Sequence, residues 1–165
     1  MKQREIILGL NAYHADSSAA IFVDGELIAA TEEERFRRIK HWAGFPTEAI
    51  KFCLGEVGCT LADLAAITIG RDPSAKKRNK AAFVFKFPMV AKALWSQRSA
   101  NKDDINLLHE QFRHVEPDVD VDMVKTKIQF VEHHRSHLGS AFFPSPFEEA
   151  AILSIDGSGD FTTTM

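Results

Sequence analysis

The start of the chain contains short apolar runs that are closed by small or polar residues, as buried strands are. Residues 5–11 and 18–23 are rich in aliphatic side chains, and a polar turn separates them. Asp24 and Gly25 supply a two-residue hairpin turn, because both residue types tolerate the positive φ that such turns require. Residues 26–31 continue as a third strand. The pattern therefore predicts three consecutive antiparallel strands.

A helix is predicted after this meander, because apolar residues recur at helical spacing between residues 46 and 58. The apolar stripe is formed by Ile50, Cys53, Leu54 and Val57, and Gly58 is a typical helix stop. The same criteria predict a helical turn capped by Thr60, a strand over residues 66–70, a helical stretch over 75–98 broken at Pro88 and a helix over 103–113. A loop over 115–125, a buried strand over 127–132 and a helix over 133–143 follow. The last predicted elements are a buried strand over 150–156, a turn at 157–159 and a strand over 161–164.

Strands that alternate with helices after an opening meander are typical of an α/β domain, with a mixed sheet and helices on its faces. A length of 165 residues suits one such domain. The chain stops at Met165 just as a new hairpin begins. We therefore expect it to be a fragment of a longer protein.

Composition and charge narrow the function classes. Apolar residues make up 45% of the chain and charged residues 26%, which is ordinary for a globular protein. The net charge of −3 argues against a nucleic-acid-binding protein with a broadly basic surface. Two cysteines suit neither a disulfide framework nor a four-cysteine zinc site. The apolar run over residues 6–10 is too short for a signal peptide, and no segment reaches transmembrane length. We expect a cytoplasmic protein without membrane or nucleic-acid partners.

The strongest chemical pattern is a cluster of histidines at the start of the predicted helix 133–143. His133 and His137 are four residues apart, so on a helix they lie on one face and can bind one ion. His134 is rotated by about 100° from His133 and points elsewhere. Asp156 is expected at the end of a strand, at the carboxyl edge of the sheet, where ligands gather in α/β folds. Two histidines and a carboxylate suit Fe(II), Mn(II) or Zn(II) better than Mg(II). The alternative is that these histidines cap and pack the helix.

Small residues follow Asp156 directly. Gly157, Ser158 and Gly159 allow backbone N–H groups to approach an anion such as a phosphate, and Asp156 is placed to bind its metal. A plain hairpin turn explains the same sequence equally well. The pattern gains specificity only together with the upstream histidines.

Two further segments carry candidate chemistry. His14, in the loop after the first strand, is suited to act as a general acid or base near neutral pH, although a surface histidine is the simpler interpretation. Residues 32–41 form a dense mixed-charge run, predicted as a short helix or an ordered loop. Such a run is usually a solvated helix face. It is alternatively a source of cations for an anionic substrate, and Arg35 and Lys40 are the candidate anion-binding residues.

These segments resemble the NodU/CmcH family of O-carbamoyltransferases. The matching text is ILGLNAYHADSSAAIFVDGELIAATEEERFRRIKH, then FCLGEVGCTLADL, and later HHRSHLGSAFFPSPFEEAAILSIDG. The combination of EERF-x-R-x-K-H, HH-x-x-H and a later DG is specific, although no single piece is. Residues 72–124 match only loosely and are expected to be a family-variable helical insertion.

The resemblance implies the first half of an actin-like ATPase or ribonuclease-H-like fold, so that residues 1–165 would be the amino-terminal part of a metal- and ATP-binding domain. It further implies a carboxy-terminal domain in the same protein. The implied reaction uses carbamoyl phosphate and ATP, forms a carbamoyl-adenylate and transfers the carbamoyl group to a hydroxyl of a small molecule.

The same resemblance implies roles for single residues. His14 matches the catalytic histidine of the family, His133, His137 and Asp156 match metal ligands, and residues 157–159 would lie against the nucleotide phosphates. The expected metal is Fe(II), with Zn or Mn as alternatives. The nucleotide of this fold is held between two halves, so the isolated fragment is expected to be inactive.

Two other functions are compatible with the same residues. One is a non-catalytic nucleotide- or metal-binding module. The other is the related tRNA threonylcarbamoyl transferase branch, against which the EERF run and the NAYHADSSAA loop argue. A sugar-kinase-like relative ranks low, because the Asp-x-Gly phosphate motif of such kinases is replaced here by Gly9-Leu10-Asn11.

Overall fold

The computed structural model of the chain describes residues 4–72, 84–86, 107–159 and 162–165. The described part contains seven strands, five helices with both ends described, two 3₁₀ turns and a helical segment at residues 84–86. The strands are β1 Ile6–Asn11, β2 Ser18–Val23, β3 Glu26–Glu32, β4 Ala66–Ile69, β5 Ile128–Phe130, β6 Ile155–Gly159 and β7 Thr162–Thr164. The helices are α1 Glu34–Arg37, α2 Thr47–Val57, α3 Leu108–Gln111, α4 Val121–Lys127 and α5 His133–Phe142, and the 3₁₀ turns are Leu61–Asp63 and Phe112–His114.

Five of the strands form one mixed sheet in the order β3-β2-β1-β4-β5. β1 is antiparallel to β2 and parallel to β4, and β2 is antiparallel to β3. The predicted meander and mixed α/β sheet are therefore confirmed. The actin-like assignment, and with it helices on both faces, stays a prediction.

The core of the sheet follows directly from its alternation. Leu8 lies opposite Ile21 on one side and Ile67 on the other, and all three side chains are fully buried. Because alternate residues of a strand face the same side, the apolar positions of β1, β2 and β4 line one surface. Helix α2 packs on this sheet through β2 and β3, with Cys53 fully buried. The predicted apolar stripe of α2 is thus a core stripe.

The chain divides into two compact units. The first comprises residues 1–69 and 99–129, and the second comprises residues 70–98 and 130–165. The first unit holds the meander, α2 and α4. The second holds α5 and the two-stranded sheet of β6 and β7.

Several predicted elements are wrong. The loop predicted over 115–125 contains helix α4, whose start is capped by Asp120 through the backbone N–H groups of Asp122 and Met123. The predicted buried strand over 127–132 is only Ile128–Phe130, and Phe130 is exposed.

The carboxyl end differs most from the prediction. No strand covers residues 150–154, and β6 begins only at Ile155. Asp156 is therefore the second residue of a strand that pairs with β7, not the last residue of a strand in the five-stranded sheet. The predicted turn at 157–159 is wrong as well, because these residues continue β6. The predicted helical stretch over 75–98 falls outside the described residues except for 84–86, which are helical, and the first half of the predicted helix 103–113 also lies outside them.

Candidate metal centre

Helix α5 carries the histidines that the sequence singles out. It begins at His133, where the carboxylate of Glu132 caps the helix by accepting a hydrogen bond of 2.9 Å from the N–H of Arg135. His133 and His137 are one turn apart, and their ring centroids lie 4.6 Å from each other at nearly right angles. The local sequence therefore builds a two-histidine face, as predicted.

The carboxylate of Asp156 meets this face. Asp156 Oδ2 lies 2.6 Å from His133 Nε2 and 3.8 Å from His137 Nε2, and the two Nε2 atoms are 3.1 Å apart. All three candidate ligand atoms lie within 4.8 Å of one another. The structure thus brings together the three side chains that the sequence predicts to converge.

The surroundings of Nδ1, the other ring nitrogen of His133, favour one tautomer of the neutral imidazole. Nδ1 of His133 faces the carbonyl oxygen of Gly70 at 3.4 Å, and a carbonyl only accepts hydrogen bonds. In the neutral ring this contact favours the proton on Nδ1 and leaves a lone pair on Nε2. In that tautomer the lone pair of Nε2 faces a carboxylate oxygen of Asp156, and a cation bound between the two atoms would stabilise this arrangement.

The spacing of the three atoms is close to what a first-row transition metal requires. Metal–ligand bonds of about 2.0–2.2 Å place neighbouring ligand atoms about 3.0–3.5 Å apart. One of the observed separations, 3.1 Å, lies in that range, and the other two, 2.6 and 3.8 Å, lie just below and just above it. His137 is 53% exposed in its side chain, which argues against a purely packing role for it. The residues present can hold a metal ion, and their role as ligands stays a prediction.

His134 has a different environment from its two neighbours. Its side chain is fully buried, and its Nδ1 lies 2.8 Å from the hydroxyl of Ser154, which is also buried. The predicted divergence of His134 from the metal face is therefore found. The sequence pattern gives no sign of its hydrogen bond with Ser154.

The candidate catalytic residue His14 lies in the first unit, in the loop that joins β1 to β2. Its side chain is exposed, whereas the loop around it is held firmly. Tyr13 and Asp16 both have positive φ angles, of 57° and 63°, and the buried hydroxyl of Ser17 donates to the carbonyl of Gly44 at 2.7 Å. Non-glycine residues in this conformation persist only where surrounding contacts hold them, which is common at functional sites. The loop presents His14 on a fixed backbone.

A second histidine supports the same loop. His41 Nδ1 lies 2.8 Å from Asp16 Oδ1, and His41 itself has a φ of 56°. The hydrogen bond to Asp16, followed by the negative charge of Asp16, raises the pKa of His41 above its usual value of 6.5. A charged His41 therefore strengthens the link between the loop that carries Asp16 and the segment that carries His41.

The mixed-charge run divides into a buried and an exposed part. Glu33 is fully buried, and its carboxylate accepts from Arg37 Nε at 2.6 Å and from the N–H of Ala49 at 2.9 Å. Arg35 is exposed and paired at 3.4 Å with Glu32, and Lys40 is exposed. Glu33 belongs neither to a solvated helix face nor to a source of cations for a substrate, because its buried carboxylate joins α1 to the start of α2. Arg35 and Lys40 remain the candidate anion-binding residues.

Comparisons with known proteins add to this geometry. The family model described as the carbamoyltransferase N-terminus matches residues 6–165. The chain belongs to the carbamoyltransferase family. It is 39% identical over 163 residues to an uncharacterized protein of Synechocystis sp., and 37% identical over 154 residues to the nodulation protein NolNO of Sinorhizobium fredii. These matches cover 96% and 93% of the chain.

The chain spans about a quarter of the length of these two relatives. The matched region is 26% of the Synechocystis protein and 21% of NolNO. The family match confirms the resemblance drawn from the sequence, and it covers both the His14 loop and the His133–His137–Asp156 cluster. Among the described residues, none of the helices has the length and apolar character needed to cross a membrane.

Proposed function

We propose that this chain supplies the metal and nucleotide site for ATP-dependent O-carbamoyl transfer, carried out by a longer protein. The observation that carries the proposal is the convergence of His133, His137 and Asp156 within a carbamoyltransferase N-terminal domain. Residues 157–159 follow Asp156 directly, so a phosphate bound by their backbone would lie next to the ion.

The proposed reaction starts from carbamoyl phosphate and ATP. Hydrolysis of carbamoyl phosphate gives carbamate and phosphate. An oxygen of carbamate then attacks the α-phosphorus of ATP, which forms carbamoyl-adenylate and releases pyrophosphate. Finally a hydroxyl of a small molecule attacks the carbamoyl carbon, the bond to AMP breaks, and the hydroxyl proton is taken up by a base.

The residues of the chain would meet the needs of these steps. An exposed histidine on a rigid loop is suited to take up the proton of the acceptor hydroxyl, and we assign this role to His14. The attack brings several negative charges together, and the exposed side chains of Arg35 and Lys40 would offset part of that charge. When bound by His133, His137 and Asp156, a divalent ion, Fe(II) first with Zn or Mn as alternatives, would offset the phosphate charge further.

The test uses the full-length protein and measures carbamoyl-phosphate-dependent release of pyrophosphate from ATP, together with metal content. We expect His14→Ala to lower the rate by about 100-fold or more, the usual contribution of a general acid or base, with the metal retained. His137→Ala should lose both the metal and the activity. His114→Ala is the matched control, because His114 is an exposed histidine outside the proposed site, and it should change neither.

Each outcome has a clear meaning. If the wild-type protein binds metal but never releases pyrophosphate with carbamoyl phosphate and ATP, the chain belongs to a non-catalytic metal- or nucleotide-binding module. If His137→Ala keeps its metal, the histidines pack the helix instead of binding an ion. The isolated chain should remain inactive, and carbamoyl-adenylate formed by it alone would contradict the need for a second half.

A further inference from the structure

Asp156 lies on a segment that has little regular structure before it. Residues 150–153 are exposed and belong to no helix or strand, and Asp156 is only the second residue of β6. A carboxylate on such a segment has no fixed distance from α5 unless something else holds it. The chemistry of a metal site needs that distance to be held to within a few tenths of an ångström.

Besides the contact of Asp156 with His133, the buried pair of His134 and Ser154 attaches this segment to α5. Ser154 is buried, and its hydroxyl lies 2.8 Å from Nδ1 of the fully buried His134. Backbone hydrogen bonds of 2.8 and 3.0 Å to Met165 fix Ser154 from the other side. Buried polar groups are costly unless they are paired, so this contact is specific.

Ser154 and Asp156 are two residues apart, and this spacing links the contact of Ser154 with α5 to that of Asp156. Alternate residues of an extended chain face the same side, so Ser154 and Asp156 both address α5. On that helix, His134 lies directly after His133, and their rings meet edge to face at 5.8 Å between centroids. A contact at Ser154 therefore sets where the Asp156 carboxylate meets His133 and His137.

We propose that His134 and Ser154 are positioning residues of the metal site, which hold the Asp156 segment against α5 without touching the ion. This inference rests on the proposed metal site. Residues that support metal ligands in this way typically change the affinity for the metal by about 10- to 100-fold when they are replaced.

The test measures the affinity of the full-length protein for Co(II) by competition with a chromophoric chelator, together with the visible spectrum of bound Co(II). We expect His134→Leu, Ser154→Ala and the double variant each to bind Co(II) at least 10-fold more weakly than the wild type. The spectrum of the bound ion should change as well, because the carboxylate no longer meets it at the same position.

Unfolding in urea separates positioning from general stability. Each single variant breaks the buried hydrogen bond between His134 and Ser154 and should unfold at lower urea, whereas the double variant should lose less than the sum of the two. Its Co(II) affinity should nevertheless stay low. Val124→Ala is the matched control, because Val124 is fully buried in the first unit, and it should lower stability without changing Co(II) affinity.

Two results would overturn the inference, and they are distinguishable. If the wild type binds Co(II) and the double variant binds it equally well with the same spectrum, His134 and Ser154 do not position the site. If the wild type binds no Co(II), the metal site itself is absent, and the proposed function loses its support together with this inference.

Discussion

Replacing Glu33 is the sharpest test of how the chain is held together around the His14 loop. The Glu33 carboxylate is fully buried and accepts two hydrogen bonds, at 2.6 Å from Arg37 Nε and at 2.9 Å from the N–H of Ala49. The guanidinium of Arg37 also lies over the ring of Trp42, at 4.4 Å from the ring centroid. We call this arrangement of Glu33, Arg37 and Trp42 the glutamate brace.

The structure gives the expected magnitude for Glu33→Gln. Glutamine has the same shape, but it carries no charge. The two hydrogen bonds are accepted by different oxygens, Oε1 and Oε2, and the amide nitrogen that replaces one of them only donates, so one bond is lost. Hydrogen bonds to charged groups contribute about 1.5–3 kcal/mol each. The side chain of Arg37 is 36% exposed, so water replaces part of what it loses. We therefore expect Glu33→Gln to lower the free energy of unfolding by about 2 kcal/mol, toward the low end of the range for one lost bond.

A neighbouring pair of the same chemistry serves as the control. Glu32 and Arg35 are 3.4 Å apart, but their side chains are 43% and 69% exposed. Exposed pairs contribute about 0–1 kcal/mol, so Glu32→Gln should change the unfolding free energy by less than about 0.5 kcal/mol. Urea denaturation followed by circular dichroism measures both variants. A loss for Glu33→Gln that is no larger than that for Glu32→Gln would refute the glutamate brace and restore the interpretation of the run as a solvated helix face.

Three further outcomes are expected. Leu8→Ala should lower the unfolding free energy by about 3 kcal/mol, as for other buried leucines, and a loss below about 1 kcal/mol in urea denaturation would contradict the assigned core. Burial raises the pKa of both cysteines, that of Cys53 to about 11. Because Cys53 is fully buried and Cys59 only partly so, at pH 8 mass spectrometry should find Cys59 alkylated before Cys53 in the folded protein, and equal rates would show that Cys53 is accessible. Because the pKa of His41 is raised by Asp16, the stabilisation by this pair is complete below pH 6.5 and is lost as the pH rises through the raised pKa; Asp16→Asn should lower that pKa in an NMR titration, and an unchanged titration would exclude the link.

The part of the fold that sequence predicts well is the part specified by neighbouring residues. The meander requires only short apolar runs and a turn, and the turn residue Asp24 has the positive φ that its position demands. Helix α2 ends as predicted at Gly58, which adopts a left-handed conformation. Both features depend on residues within a few positions of each other, so the local pattern is enough.

The missed helix α4 shows where composition misleads. Its surroundings are acidic and rich in valine, which disfavours a helix. The structure forms one because Asp120 caps the first turn and Val124 is fully buried. The capping residue is visible in the sequence, whereas the burial of Val124 depends on distant segments. Asp120, as a typical helix-capping residue, is the signal in the sequence that predicts this helix.

The glutamate brace shows the same limit for charged residues. A mixed-charge run predicts solvent exposure on average, and most of the residues in this run are exposed. Nothing local distinguishes Glu33 from its neighbours Glu32 and Glu34. The difference lies in the N–H of Ala49, 16 residues away, which needs an acceptor at the start of α2. Burial of a single carboxylate in a charged run is therefore a tertiary property.

The candidate metal site depends partly on neighbouring residues and partly on tertiary contacts. The face formed by His133 and His137 follows from helical spacing alone, and this part of the prediction needs no tertiary information. The position of Asp156 was predicted from a strand that the structure does not contain, yet its carboxylate still reaches His133. The contact of Asp156 with His133 is formed because the buried hydrogen bond between His134 and Ser154 holds the Asp156 segment against α5. A sequence pattern can name the candidate ligands, but the hydrogen bond that sets their separation is formed by two residues that do not reach the ion.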